Sequence, residues 1–300
     1  MPPEKTIPEG DKLSPMMRQF AAAKAAHPDA LLFFRMGDFY ELFYDDAIVA
    51  SRELELTLTA RDRERQQPMC GVPYHAAEAY LQRLLRKGYR IAICEQMEDP
   101  KLAKGIVKRE VTRVVTPGTA LDPTAAASEN TFLAALTVSA DRKCSGVAML
   151  DLSTGEFRTT EFRATNATTL ALEEVARNRP REILLPAGLH LGSGKTELNG
   201  DEDVEAELLS SVRTRTPVED WVSTSEYALP LLQNHYRAHS LEGFGLSGKT
   251  SAAIAAGALL HYLRATKHEE LEHLDVPRYY EHTTCLELDA VSVRNLELVE

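Results

Sequence analysis

Cysteine is sparse in this sequence and poorly placed for chemistry. Only four occur, at 70, 94, 144 and 285, and no two stand as a C-x-x-C pair. That spacing supports neither a disulfide framework nor a zinc site, and it suits a reducing interior. Long apolar runs are missing too: nothing approaches the ~18 residues that a membrane span requires. The opening residues, MPPEKTIPEGDKL, are polar and contain proline, so no signal peptide is expected. Internal repeats are absent. What remains, 44 % hydrophobic and 26 % charged over 300 residues, is enough for a sizeable core and for two or more soluble domains.

An excess of positive charge is also lacking. The formal charge of −11, taken as one number, argues against nucleic acid. Its distribution argues otherwise. Residues 1–120 hold 18 Lys/Arg and 17 Asp/Glu and sit at +1, whereas the remainder carries −12. The first part also has basic groups at Arg61-Arg63-Arg65, at Arg83, Arg86, Lys87 and Arg90, and at Lys101, Lys104, Lys108, Arg109 and Arg113. Each group taken alone suits a solvated face, but the asymmetry predicts that only the first part meets a polyanion.

Periodicity predicts helix over 14–27, strand over 31–34, helix over 38–53 and strand over 55–60. A polar loop with Pro68 then leads to a helix over 76–87, with strands over 89–95 and 109–116. This is a small mixed α/β domain. Residues 119–129, TALDPTAAASE, have the composition of a linker. Beyond them come strands in TFLAALTVS and a hairpin in GVAMLDLSTGEFRTTEF, then a helix over 166–178 and the short strand EILLP. Helices are expected near 201–209, 224–236 and 250–266, and a new pattern begins at 267.

The stretch LLFFRMGDFYELFYDDA, 31–47, is the least ordinary. Asp38-x-x-Glu41 has the form of a capping box, with Tyr40, Phe43 and Ala47 as a buried stripe on the helix that follows. Phe39 does not belong to that stripe and is expected at a projecting helix end. GFGLSGKT at 243–250 matches the spacing of a phosphate-binding loop through Gly243, Gly248, Lys249 and Thr250, but no buried strand feeds it. LGSGKT at 191–196 lacks the first glycine of that pattern. The histidines of HEELEH are five apart, where a metalloprotease helix needs four. His235 and His239 have the right spacing and no evident third ligand. Asp151 ends an apolar strand near Glu156, Glu173 and Glu174. That layout admits a metal-dependent nuclease of the ribonuclease H type, but such a site needs three or four convergent carboxylates, and a turn-capping aspartate is the simpler reading.

RMGDFYELFYDDA closely resembles the signature of the MutS family of mismatch-repair proteins. CGVPYHAAEAYLQRLLRKGYRIAICEQ, TPGT, LDLSTGEF, RPREILLP and RNLELVE resemble other segments of that family, in its order and spacing from about residue 14 onward. The resemblance implies an α/β chain in three parts. Residues 1–125 would be a mismatch-binding domain, 126–262 a ribonuclease H-like connector, and 263–300 the start of a helical lever or core domain. By the same resemblance Phe39 wedges into the minor groove and Glu41 hydrogen-bonds the mispaired base. Met36 flanks the wedge, and Arg61, Met69, Tyr74 and His75 border the groove. The RDRERQQ loop at 61–67 departs from the family pattern. Expected partners are double-stranded DNA with mismatches or small loops, a MutL-type protein and a second copy of the chain, with no membrane. ATP and magnesium serve the family's ATPase domain, which is not among these residues, so this chain is expected to hold no catalytic site, cofactor or metal. The location implied is cytoplasmic, on the nucleoid.

Overall fold

Ser14 and Pro15 open the first helix as their chemistry dictates. The Ser14 hydroxyl accepts from the Met17 N–H at 3.3 Å, and Pro15 takes a position whose N–H has no helical partner. Helix α1 (Pro15–Ala26) leads to β1 (Ala30–Met36), a continuous apolar run because it is covered on both faces. Then come β2 (Phe39–Phe43), α2 (Tyr44–Leu54), β3 (Thr59–Ala60), β4 (Pro68–Pro73), α3 (Ala77–Arg86), β5 (Arg90–Gln96) and β6 (Arg109–Val115). The strands form one sheet in the order β3-β4-β2-β1-β5-β6, antiparallel except where β1 meets β5. Leu31, Phe33, Tyr40 and Leu42 pack on the α2/α3 side. Leu32, Phe34 and Phe43 pack on the α1 side, where Phe20 meets Phe34 and Phe43 edge-on at 5.7 and 5.1 Å.

The computed structural model describes residues 14–61, 67–98, 105–120, 131–189, 200–266 and 271–281. Arg63, Arg65, Lys101, Lys104, the 191–196 motif, His268 and the 294–300 segment therefore lie outside the described residues. The chain divides into two compact units, 1–130 with 263–271, and 131–262 with 272–300.

The helix expected over 38–53 is a strand for its first third. Gly37 and Asp38 make a two-residue turn with Gly37 at φ +57°, the left-handed conformation such hairpins need at their first central position. Asp38 therefore caps nothing, and the helix begins at Tyr44. The strand expected over 55–60 shortens to Thr59–Ala60, and the polar loop before α3 contains β4. Within the basic group at 83–90, Arg83 donates to the Leu54 carbonyl, Lys87 to the Glu53 carbonyl and carboxylate, and Arg90 pairs with Asp29. Arg83 and Lys87 thus close the C-terminal end of α2, and Arg90 ties the start of β5 to the residue before β1.

In the second unit β7 (Phe132–Val138), β8 (Cys144–Asp151) and β9 (Phe157–Arg163) form an antiparallel meander. After α4 (Ala167–Asn178), β10 (Glu182–Pro186) pairs parallel to β7; after α5 (Gly200–Ser210), β11 (Thr214–Val218) pairs parallel to β10. Helices α6 (Ser225–Tyr236) and α7 (Thr250–Ala265) follow. The order β11-β10-β7-β8-β9-β12 is the expected ribonuclease H-like sheet with one strand added, because β12 (Arg278–Tyr279) pairs parallel to β9. Sequence periodicity misses β11, whose TRTPV has only one large apolar residue.

Candidate nucleic-acid interface

Alternation along β2 decides what the first sheet presents. Tyr40 and Leu42 point into the core, and Phe39, Glu41 and Phe43 point to the other face. Phe43 is covered by Phe20 of α1, but Phe39, at the hairpin tip, is 47 % exposed. Its neighbours across the ladder are Met36 on β1 and Pro73 on β4. Glu41 lies opposite Gly71, whose missing side chain leaves room for both: a Cβ there would stand 3.7 Å from Glu41 Cγ, 3.8 Å from Phe39 and 3.3 Å from the Tyr40 carbonyl. Glu41 and Phe39 are thus held by the centre of a sheet, not by a helix end.

The Glu41 carboxylate is half-buried, 4.0 Å from Arg61 Nη1. Burial pushes its pKa up, and the charges of Arg61 and Arg109 pull it back down. Arg61 itself is exposed, lies over the Phe43 ring at 5.8 Å and reaches Met16 Sδ at 3.6 Å. Met36 and Met69 are half-buried in the same cluster as Phe43. Of the predicted residues, then, Phe39, Glu41, Met36, Arg61 and Met69 share one face. Tyr74 and His75 do not join them. They form a 3₁₀ turn after β4, with His75 edge-on to Tyr74 at 5.8 Å, and the Tyr74 ring lies against Arg35, which alternates onto the opposite face.

Two residues of this region had no individual role in the sequence reading. Arg35 stacks on Tyr74 with its guanidinium 3.8 Å from the ring centre. Arg109 donates from Nε to the Arg35 carbonyl at 2.7 Å and lies over the Phe34 ring at 5.3 Å. Behind Arg35, the Tyr40 hydroxyl donates to Glu95; burial, with that carboxylate, raises the phenol to about 12, so it remains a donor at any working pH. Nothing in the local pattern of RMGDFY signals the stack, because Tyr74 reaches Arg35 only once β4 has paired with β2.

The other candidate sites resolve into structural roles. The Asp151 carboxylate accepts from the Thr131 N–H at 3.0 Å, the Ser153 N–H at 2.8 Å, the Ser153 hydroxyl at 2.6 Å and the Thr154 N–H at 3.4 Å. Its oxygens thus serve the turn and the residue before β7. Glu156 pairs with Arg158, Glu173 is exposed, and Glu174 binds Arg177, Asn178 and Tyr280. Among the described residues no group of three His, Cys, Asp or Glu could hold a metal ion. The geometry of the described residues does not favour the nuclease reading. At 243–250 the preceding residues are α6 and a short 3₁₀ turn, with no strand between them. The backbone donors at the start of α7 are already taken: Glu161 Oε2 accepts from Ser251 N–H at 2.8 Å and Ala252 N–H at 3.4 Å. Lys249 lies over Tyr279 at 4.6 Å. No helix among the described residues is long and apolar enough to cross a membrane.

Comparison with known proteins finds a family for both units. The family model of MutS domain I matches residues 14–124, and that of MutS domain II matches residues 131–275. The DNA mismatch repair protein MutS of Solibacter usitatus is 50 % identical over 294 residues, 97 % of this chain and 32 % of its own length. Those of Syntrophobacter fumaroxidans and Methanosarcina barkeri are 44 % and 42 % identical, each across 96 % of this chain. The chain spans about a third of the length of these relatives. With both domains matched in order and this likeness along nearly all its residues, the chain belongs to the MutS family.

Proposed function

We propose that this chain recognises mispaired and unpaired bases in double-stranded DNA, as the reading part of a mismatch-repair protein. One observation carries the reading: a half-exposed phenylalanine at a hairpin tip, with a half-buried carboxylate two residues along the same face. Phe39 enters the minor groove and stacks at a kink. A mispair has already lost part of its pairing and stacking, so opening the duplex there costs less than at a matched pair. Glu41 bonds the mispaired base. Its charge is repelled by phosphates, which weakens binding to ordinary duplex and favours a site where a base edge satisfies it. Met36 and Met69 give the wedge a soft apolar flank, and Arg61 offsets the carboxylate and reaches the backbone. His75 borders the groove from the other side of the tip, where the Tyr74 ring is taken up by Arg35.

The longer protein that the relatives represent would add an ATPase using ATP and magnesium, pairing of two copies, and a MutL-type partner, in the cytoplasm on the nucleoid. Binding of the full-length protein to a duplex with one G·T mispair, and to its matched counterpart, tests the reading. Phe39→Ala lowers mispair affinity tenfold or more, in line with the roughly 1–3 kcal/mol of base stacking on an aromatic ring, and hardly alters matched binding. Glu41→Ala raises matched affinity while discrimination falls. If Phe39→Ala lowers the melting temperature and keeps full discrimination, Phe39 is a packing residue and the wedge is wrong.

A further inference from the structure

We infer that Arg35 and Tyr74 are positioning residues that lock the Gly37–Asp38 turn, and that this lock sets discrimination between mispaired and matched DNA. The inference rests on the wedge reading of Phe39. It begins with the carbonyl groups of the hairpin tip. The Gly37 carbonyl accepts from Arg35 Nε at 2.5 Å, the Asp38 carbonyl from the Tyr74 N–H at 2.9 Å, and the Arg35 carbonyl from Arg109 Nε at 2.7 Å. Three elements, β1, the turn after β4 and β6, therefore converge on the residues that immediately precede Phe39. The Arg35 guanidinium also stacks on Tyr74, approaches the Tyr40 ring at 5.4 Å and lies 3.8 Å from Glu95. Its side chain is only 17 % exposed, so this cation is turned onto the protein and away from a phosphate.

The turn needs such a lock. Gly37 has positive φ and open space where a Cβ would stand, so no side chain of its own anchors the turn. A wedge on a yielding turn must be ordered when it stacks on a mispaired base, and that ordering costs affinity for mispaired DNA. A turn fixed beforehand avoids the cost. Rigidity at the tip thus becomes selectivity, gained as affinity for mispaired DNA, with matched binding, which rests on phosphate contacts, little changed.

The same pair of duplexes, bound by full-length protein, gives the ratio of mispaired to matched affinity for each variant. Arg35→Gln and Tyr74→Leu lower that ratio roughly fivefold, the scale of a lost cation–π contact, mainly by weakening mispaired binding. Arg35→Lys, which keeps the charge and loses the planar fork, behaves like Arg35→Gln. Tyr74→Phe keeps the ring and the ratio. In a Phe39→Ala background, Arg35→Gln lowers the ratio no further. An unchanged ratio in Arg35→Gln, where Phe39→Ala alone abolishes it, overturns this inference and leaves the wedge standing. Equal loss of both affinities overturns it too, as the sign of a phosphate contact or of simple destabilisation. Were Arg35→Gln to unfold, Tyr74→Leu at its exposed position decides alone. A Phe39→Ala protein with intact discrimination would count against the wedge reading itself.

Discussion

Glu41 faces two opposed influences, because its strand position removes it from water while Arg61 and Arg109 favour its charge. Burial is the larger, so the folded protein holds the carboxyl above its ordinary pKa. An acid raised in this way contributes its share of stability fully below the unfolded pKa, and that share is lost as pH rises through the folded value. The effect is small, under about 1 kcal/mol, since the group is only half-buried and its arginine is exposed. Glu41→Gln should therefore melt at or above the wild-type temperature at pH 8, and the difference should shrink toward pH 4. Thermal melts at the two values check it. A variant that is clearly less stable at pH 8 would mean that the Arg61 pair outweighs burial.

At the scale of elements, the decisive feature is that β2 is a strand. If Asp38 capped a helix, Asp38→Ala would cost about 1 kcal/mol. In the hairpin it should cost at most a few tenths, whereas Gly37→Ala should cost about 1 kcal/mol because alanine resists φ +57°. Denaturant midpoints of the two variants separate the cases. The sequence misleads here for a physical reason. Tyr40, Phe43 and Ala47 are all buried, and their spacing suits a helix, yet Tyr40 and Phe43 reach opposite sides of the sheet. At its Phe43 end β2 is covered on both faces, and there the alternation is lost. Where a segment carries its own signal the reading holds: Ser14-Pro15 starts α1, and the apolar run 31–34 lies in β1. The family resemblance proposes Phe39 and Glu41, whereas their shared face, the Gly71 gap opposite Glu41 and the Arg35–Tyr74 stack exist only after strands distant in sequence have paired.

For the whole molecule, the charge asymmetry favours the first unit over the more acidic second for the proposed contact with DNA. In the second unit Asp151 serves its turn. Asp151→Asn should remove no nuclease activity, and should cost about 1–3 kcal/mol by leaving turn donors poorly satisfied. A calorimetric melt and an assay for magnesium-dependent cleavage check both halves. The period-two geometry of β2 also bears on how this protein can change over generations. Its register is fixed on one side by β1 and on the other by β4. Inserting or deleting a single residue between 37 and 43 would exchange the two faces, carrying a carboxylate into the core position of Leu42, which is fully buried. Lineages should therefore vary the letters of this segment far more readily than its length.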